Sequence, residues 1–125
     1  MPIIIVYSLP PPDPGRIEPM LQEACTGAAH AINKPPQAVW ALFQQINPGQ
    51  YVEGRTPAAS PQQETHPPIV TIRLLTGRSP ATKRAVAEAV AAAVATGLSV
   101  PPENVWIHFL EMEPTDVWSV GRFLA

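Results

Sequence analysis

The chain has 125 residues, room for a single domain (1–125) with a modest core. Charged residues make up only 14% of it and apolar ones 46%, where an average soluble domain is about 25% charged. That balance points to an oligomer that hides apolar surface between subunits. A formal net charge of -2 offers nothing to nucleic acid or an anionic membrane. The lone Cys25 allows no internal disulfide, and no apolar run approaches the roughly 18 residues of a membrane span. With no basic leader before the apolar start, a cytoplasmic protein is expected.

The chain opens on Met1-Pro2 and the apolar run Ile3-Ile4-Ile5-Val6-Tyr7. Methionine is commonly trimmed before a small residue, so the mature chain would begin with proline. Its nitrogen would then be a free secondary amine, able to exchange a proton near neutral pH if its pKa falls below the usual α-amino range of about 7.7–8.0. The β-branched run Ile3–Leu9 reads as a short buried strand. After the proline cluster, Ile17, Leu21, Ala24, Ala28 and Ile32 form a helical stripe, and Val39–Phe43 a second strand.

Residues 47–67 read as a linker, with a short hairpin at Tyr51-Val52. Ile69–Leu75 is the next strand. Ser79 is then a good N-cap, Pro80 fits the first helical position, and Val86, Val90 and Val94 recur every four residues. Gly97 is expected to close that helix, and Val105–Phe109 to be the last strand of the sheet.

The two halves repeat. Pro2-Ile3-Ile4-Ile5-Val6 reappears 66 positions on as Pro68-Ile69-Val70-Thr71-Ile72, and Pro35-Pro36-Gln37-Ala38-Val39-Trp40 at the same offset as Pro101-Pro102-Glu103-Asn104-Val105-Trp106. Gly15-Arg16 and Gly77-Arg78 correspond at 62, which leaves extra loop residues in the first half. The predicted fold is α+β: a duplicated β-α-β unit (2–46 and 68–112) giving a four-stranded sheet with two helices on one face. Each crossover helix implies parallel pairing within its half.

A leading proline on a duplicated β-α-β unit resembles the tautomerase superfamily, whose fold is MIF-like. Gly77-Arg78-Ser79, the helix after it, Val105–Met112 and the ending Trp118-Ser119-Val120-Gly121-Arg122-Phe123-Leu124 are similar to a 4-oxalocrotonate tautomerase unit. The fused length and Pro35-Pro36 … Asn47-Pro48-Gly49 look more like the malonate semialdehyde decarboxylase and cis-3-chloroacrylic acid dehalogenase branches. The resemblance spans nearly the whole chain and is weakest in Pro10–Glu18 and the linker. It implies a homotrimer with active sites at subunit edges and a small-molecule carboxylate substrate. It also implies that Pro2 is catalytic, a base when neutral and an acid when charged.

By the same resemblance Arg78 grips the substrate carboxylate, which suits a guanidinium fork beside a helix N-terminus. Trp118 and Val120 match apolar wall positions. His108 falls where the dehalogenases keep an assisting tyrosine and could bond a substrate oxygen; His30 lies one position from one of their histidines. Arg122, or else Arg16, is a candidate second cation, because Leu75 and Thr76 hold the places of the arginine expected there. Ala38 and Ser119 stand where those branches keep carboxylates. The histidine spacing suits no metal site, and the chemistry needs no cofactor. The leading expectation is a keto–enol tautomerase for a small 2-oxo or 2-hydroxydienoate acid. A decarboxylase, dehalogenase or hydratase using cationic Pro2 is the alternative, and a non-catalytic trimer the third reading.

Overall fold

The computed structural model describes residues 1–57 and 68–125, so His66 and the second part of the linker, 58–67, lie outside the described residues. Its main sheet contains β1 (Ile3–Ser8), β2 (Trp40–Gln45), β5 (Ile69–Leu75) and β6 (Trp106–Met112), in the order β2-β1-β5-β6. Two crossover helices, α1 (Ile17–Ala31) and α2 (Pro80–Leu98), pack on each other and on one face of that sheet. Hairpins of β3 (Val52–Glu53) with β4 (Thr56–Pro57), and of β7 (Trp118–Ser119) with β8 (Arg122–Phe123), follow the two halves.

The duplication is written into the strand registers. Ile3 pairs with Trp40 and Ile69 with Trp106, both in parallel and both 37 positions apart. The halves join through an antiparallel β1–β5 pair in which Ile3 faces Arg73 and Tyr7 faces Ile69. Advancing by 66 and exchanging strands turns one of these pairs into the other, so an approximate twofold axis passes between β1 and β5. The hairpins obey it too, since Val52 and Trp118 both begin one, 66 positions apart.

Strand parity divides the sheet. Ile4, Val6, Val70, Ile72 and Leu74 are completely buried against the helices. The alternate side chains, including Ile3, Ile5, Thr71 and Arg73, point to the opposite face, which no helix covers. On that open face Trp40 is 52% and Trp106 54% exposed.

The α2 stripe is as its period predicts: Val86, Val90 and Val94 have no exposure. Ser79 caps the helix by accepting from the Thr82 N–H at 3.1 Å. The expectation for Gly97 is corrected, because the helix runs on to Leu98 and Ser99, at φ 58°, makes the left-handed C-cap. Gly97 is there for space: a Cβ on it would sit 2.5 Å from the Met20 side chain of α1. The same contact revises the α1 stripe. Ala24, Ala28 and Ile32 are buried, but Met20 enters the core while Ile17 and Leu21 stay partly exposed.

The second strands of each half begin one residue later and run further than expected, to Gln45 and Met112. The hairpin at Tyr51-Val52 starts at Val52.

Candidate active site

An antiparallel β1–β5 pair puts the start of β1 and the end of β5 at one end of the sheet. The chain's amino end and Arg78 therefore come within electrostatic reach although they are far apart in sequence. The parallel neighbours bring in β2 at its start and β6 at its end: the Trp40 N–H donates to the Pro2 carbonyl at 3.0 Å and the Thr76 N–H to the Met112 carbonyl at 3.0 Å. The ring of Pro2 is fully buried, so the strand start is fixed.

Over this end folds the C-terminal hairpin. Val120 at φ 54° and Gly121 at φ 75° form its turn, and Trp118 meets Phe123 edge-on at 5.0 Å between ring centroids. Beneath it is a cavity of about 170 Å³. Ile3, Trp40, Leu75 and Met112 form its sheet side, Val117, Trp118, Ser119 and Leu124 its hairpin side, and Met1 closes part of it.

The α-amino group of Met1 has its pKa lowered from the ordinary 8.0. Burial is the largest cause, then the positive charge of Arg78, then that of Lys34. Arg78 is half-buried and follows Gly77, whose φ of 104° suits a glycine in the tight turn before α2. Its Nε is shut off from solvent with no hydrogen-bond partner among the described residues, an unspent donor that a carboxylate would satisfy.

Lys34 is the residue that sequence reading missed. It follows α1, its N–H donating to the Ala29 carbonyl at 2.9 Å, and its charge reaches the amine because β2 starts beside Pro2. A cation just before Pro35-Pro36 and the second strand was the available signal; its use required knowing that this strand lies next to β1.

The other candidates separate. Trp118 is on the cavity wall. Arg122 pairs with Ser119 across the hairpin but is exposed and does not line the cavity. Val120 is 92% exposed at the turn. His108 is elsewhere: its Nε2 lies 3.3 Å from Thr71 Oγ1 and its ring 4.9 Å from that of Trp106, on the open sheet face. His30 is exposed in the last turn of α1. Arg16 is engaged at the end of α2, where it donates to the Thr96 carbonyl and to Ser99 Oγ. Leu75 is an apolar wall residue.

Among the described residues no group of three or more His, Cys, Asp or Glu could hold a metal ion, and no helix is long and apolar enough to cross a membrane. A larger, open groove of about 580 Å³ runs between α1 and the helix side of β2, past Leu21, Cys25 and Val39. It holds neither the amine nor its cations.

A family model described as tautomerase enzyme matches residues 40–121, well over half of the chain. The chain belongs to the tautomerase family. The matched span contains Arg78 and Trp118, while Pro2 and Lys34 precede it. No curated protein matches the sequence. Among solved structures, a fused 4-OT described as an asymmetric trimer is 20% identical, with 98% of this chain and 95% of that one covered and a TM-score of 0.85. N1, a member of the cis-3-chloroacrylic acid dehalogenase family, is 21% identical over 98% and 83% of the two chains, with a TM-score of 0.77. Macrophage migration inhibitory factor from Toxoplasma gondii is 20% identical over 97% and 98%, with a TM-score of 0.69. At these identities the likeness shows a shared tautomerase fold.

Proposed function

We propose that this member of the tautomerase family is a keto–enol tautomerase for small 2-oxo acids, with Pro2 as its base once Met1 is removed. The observation that carries the reading is the lowered pKa of the amine beside an apolar cavity and two cations. Burial and the two positive charges would act in the same direction on a Pro2 amine, so it would hold a larger neutral fraction than the same amine free in water. Neutral Pro2 removes a proton from the carbon next to the carbonyl. The electron pair moves to oxygen as an enolate, and the protonated amine returns the proton to that oxygen. Arg78 and Lys34 hold the carboxylate and stabilise the developing negative charge, the kind of preorganised contribution worth about 3–4 kcal/mol per donor.

The same observation disfavours the alternative chemistry. A decarboxylase or dehalogenase using cationic Pro2 needs an amine that stays protonated, whereas these surroundings favour the neutral form. Ala38 and Ser119 also leave no carboxylate at the places where those branches keep one.

The open face supports a homotrimer: two half-exposed tryptophans with Leu42 and Leu110 form an apolar surface that a neighbouring subunit would cover. Fused 4-OT, of like fold, is described as a trimer.

Phenylenolpyruvate ketonisation tests the function. Mass spectrometry should show Met1 removed, and Pro2→Ala should cut kcat/KM at least tenfold by leaving a weaker, primary amine. Unchanged activity would sink the mechanism.

A further inference from the structure

The two halves hold their counterpart arginines differently. Arg16 has the place in the first half that Arg78 has in the second, and it is spent on the end of α2, donating to the Thr96 carbonyl and to Ser99 Oγ. Arg78 is half-buried, and its Nε has no partner among the described residues. A donor shut off from water without a bond gains by moving outward, so something must keep the Gly77-Arg78 turn in place.

Two side-chain ties bracket that turn. Before it, the Thr76 hydroxyl donates to Glu113 Oε2 at 3.3 Å. After it, Lys83, near the start of α2, donates to Glu111 Oε1 at 2.9 Å. Glu111 lies in β6 and Glu113 just beyond its end. The exit of β5 and the entry of α2 are thus pinned to one strand end, with Arg78 between the pins.

The first half has no such ties. At the offset of 66, Glu111 and Glu113 correspond to Gln45 and Asn47, and at the helix offset of 62 Lys83 corresponds to Leu21. Thr76 falls on a proline at either offset, Pro10 or Pro14. Both ties therefore belong to the half whose arginine is left free. Exposed pairs of this kind add little to global stability, so their effect is local.

We infer that Glu113 and Glu111, acting through Thr76 and Lys83, are positioning residues that hold Arg78 inward, where its charge acts on the amine and its Nε stays open to a carboxylate. The inference rests on the tautomerase reading for its kinetic arm and on the titration of the amine for the other.

With a tie cut, the turn samples outward positions, and a substrate carboxylate must select the inward one. KM then rises by the inverse of the inward fraction while kcat, set by the bound state, is kept. An outward guanidinium is screened by water and acts less on the amine, so the amine pKa moves up. Deleting a carboxylate would by charge alone move it down. The direction separates positioning from direct electrostatics.

The test uses the Met1-trimmed protein and the variants Glu113→Ala, Glu111→Ala and Thr76→Val, the last of which cuts a tie without changing a charge. With phenylenolpyruvate each should raise KM at least threefold and keep kcat within twofold, with thermal melts matching the wild type. Glu113→Gln, which can still accept from Thr76, should stay within twofold in both constants. By NMR of the Pro2 nitrogen, the amine pKa should move up in the first three variants and not in Glu113→Gln. A wild-type KM in all three overturns the inference and leaves the tautomerase reading standing. An amine pKa that stays or falls in Thr76→Val also overturns it. If the wild type turns over no enol, the tautomerase reading fails and the amine titration alone decides the inference.

Discussion

Arg78 works at two distances: its fork can take a carboxylate, and its charge acts on the amine. A cation near an amine disfavours the protonated form, so deleting it raises the amine pKa. The acid limb of the kcat/KM profile for the free enzyme should therefore lie below the pKa of an N-terminal proline free in water. Arg78→Ala should move it up and, with the carboxylate held in both ground and transition states as proposed, also raise KM and lower kcat. Lys34→Ala should move the limb in the same direction by less, following the order of the two charges' influence on the amine. Profiles of the wild type and both variants check this, and a downward shift in either would contradict it. Arg78 was a candidate in the sequence through the resemblance carried by Gly77-Arg78-Ser79. Lys34 was not, because its importance comes from a neighbour distant in sequence.

At the scale of the element, α1 and α2 meet through small residues, and Gly97 makes room for Met20. Helix propensity alone would favour replacing Gly97 by alanine or leucine, since glycine costs about 1 kcal/mol inside a helix. Packing decides otherwise. Gly97→Leu should lose about 1–3 kcal/mol through overpacking, and pairing it with Met20→Ala should recover a good part of that loss. Chemical denaturation of the two single variants and the double variant gives the coupling. An additive result would place Met20 elsewhere. Reading Gly97 as a cap failed for a physical reason. Glycine before Leu-Ser near a helix end suits a stop signal equally well, and only the position of α1 reveals the close approach.

At the scale of the whole molecule, the single chain leaves one sheet face without a helical layer. Arg73 is the charged side chain on that face, set among Ile3, Leu110 and their neighbours. A trimer would bury the face, so sedimentation should give three times the monomer mass at micromolar concentration. Trp106→Asp puts a charge on the face away from the cavity and should shift the protein toward smaller species. A stable wild-type monomer at that concentration would refute the assembly. His108 lies on the same face beside Thr71, on the surface that a trimer would bury.

What the sequence determined by itself was local or periodic. Ile3-Ile4-Ile5-Val6 made a strand, Ser79-Pro80 opened a helix, and the valines four apart fixed which face of α2 is buried. The recurrence at 66 implied two like units with parallel pairing in each. Tertiary structure decided how the units join. Because β1 meets β5 antiparallel, and not β2 or β6 at the junction, the N-terminal amine, Arg78, Lys34 and the hairpin bearing Trp118 converge at one sheet end, while His108, His30 and Arg16 are left elsewhere. No stretch of sequence encodes that convergence. It arises from pairing between segments 37 residues apart within each half and more than sixty apart between the halves, where hydrogen bonding and burial of the central strands act on the folded chain as a whole.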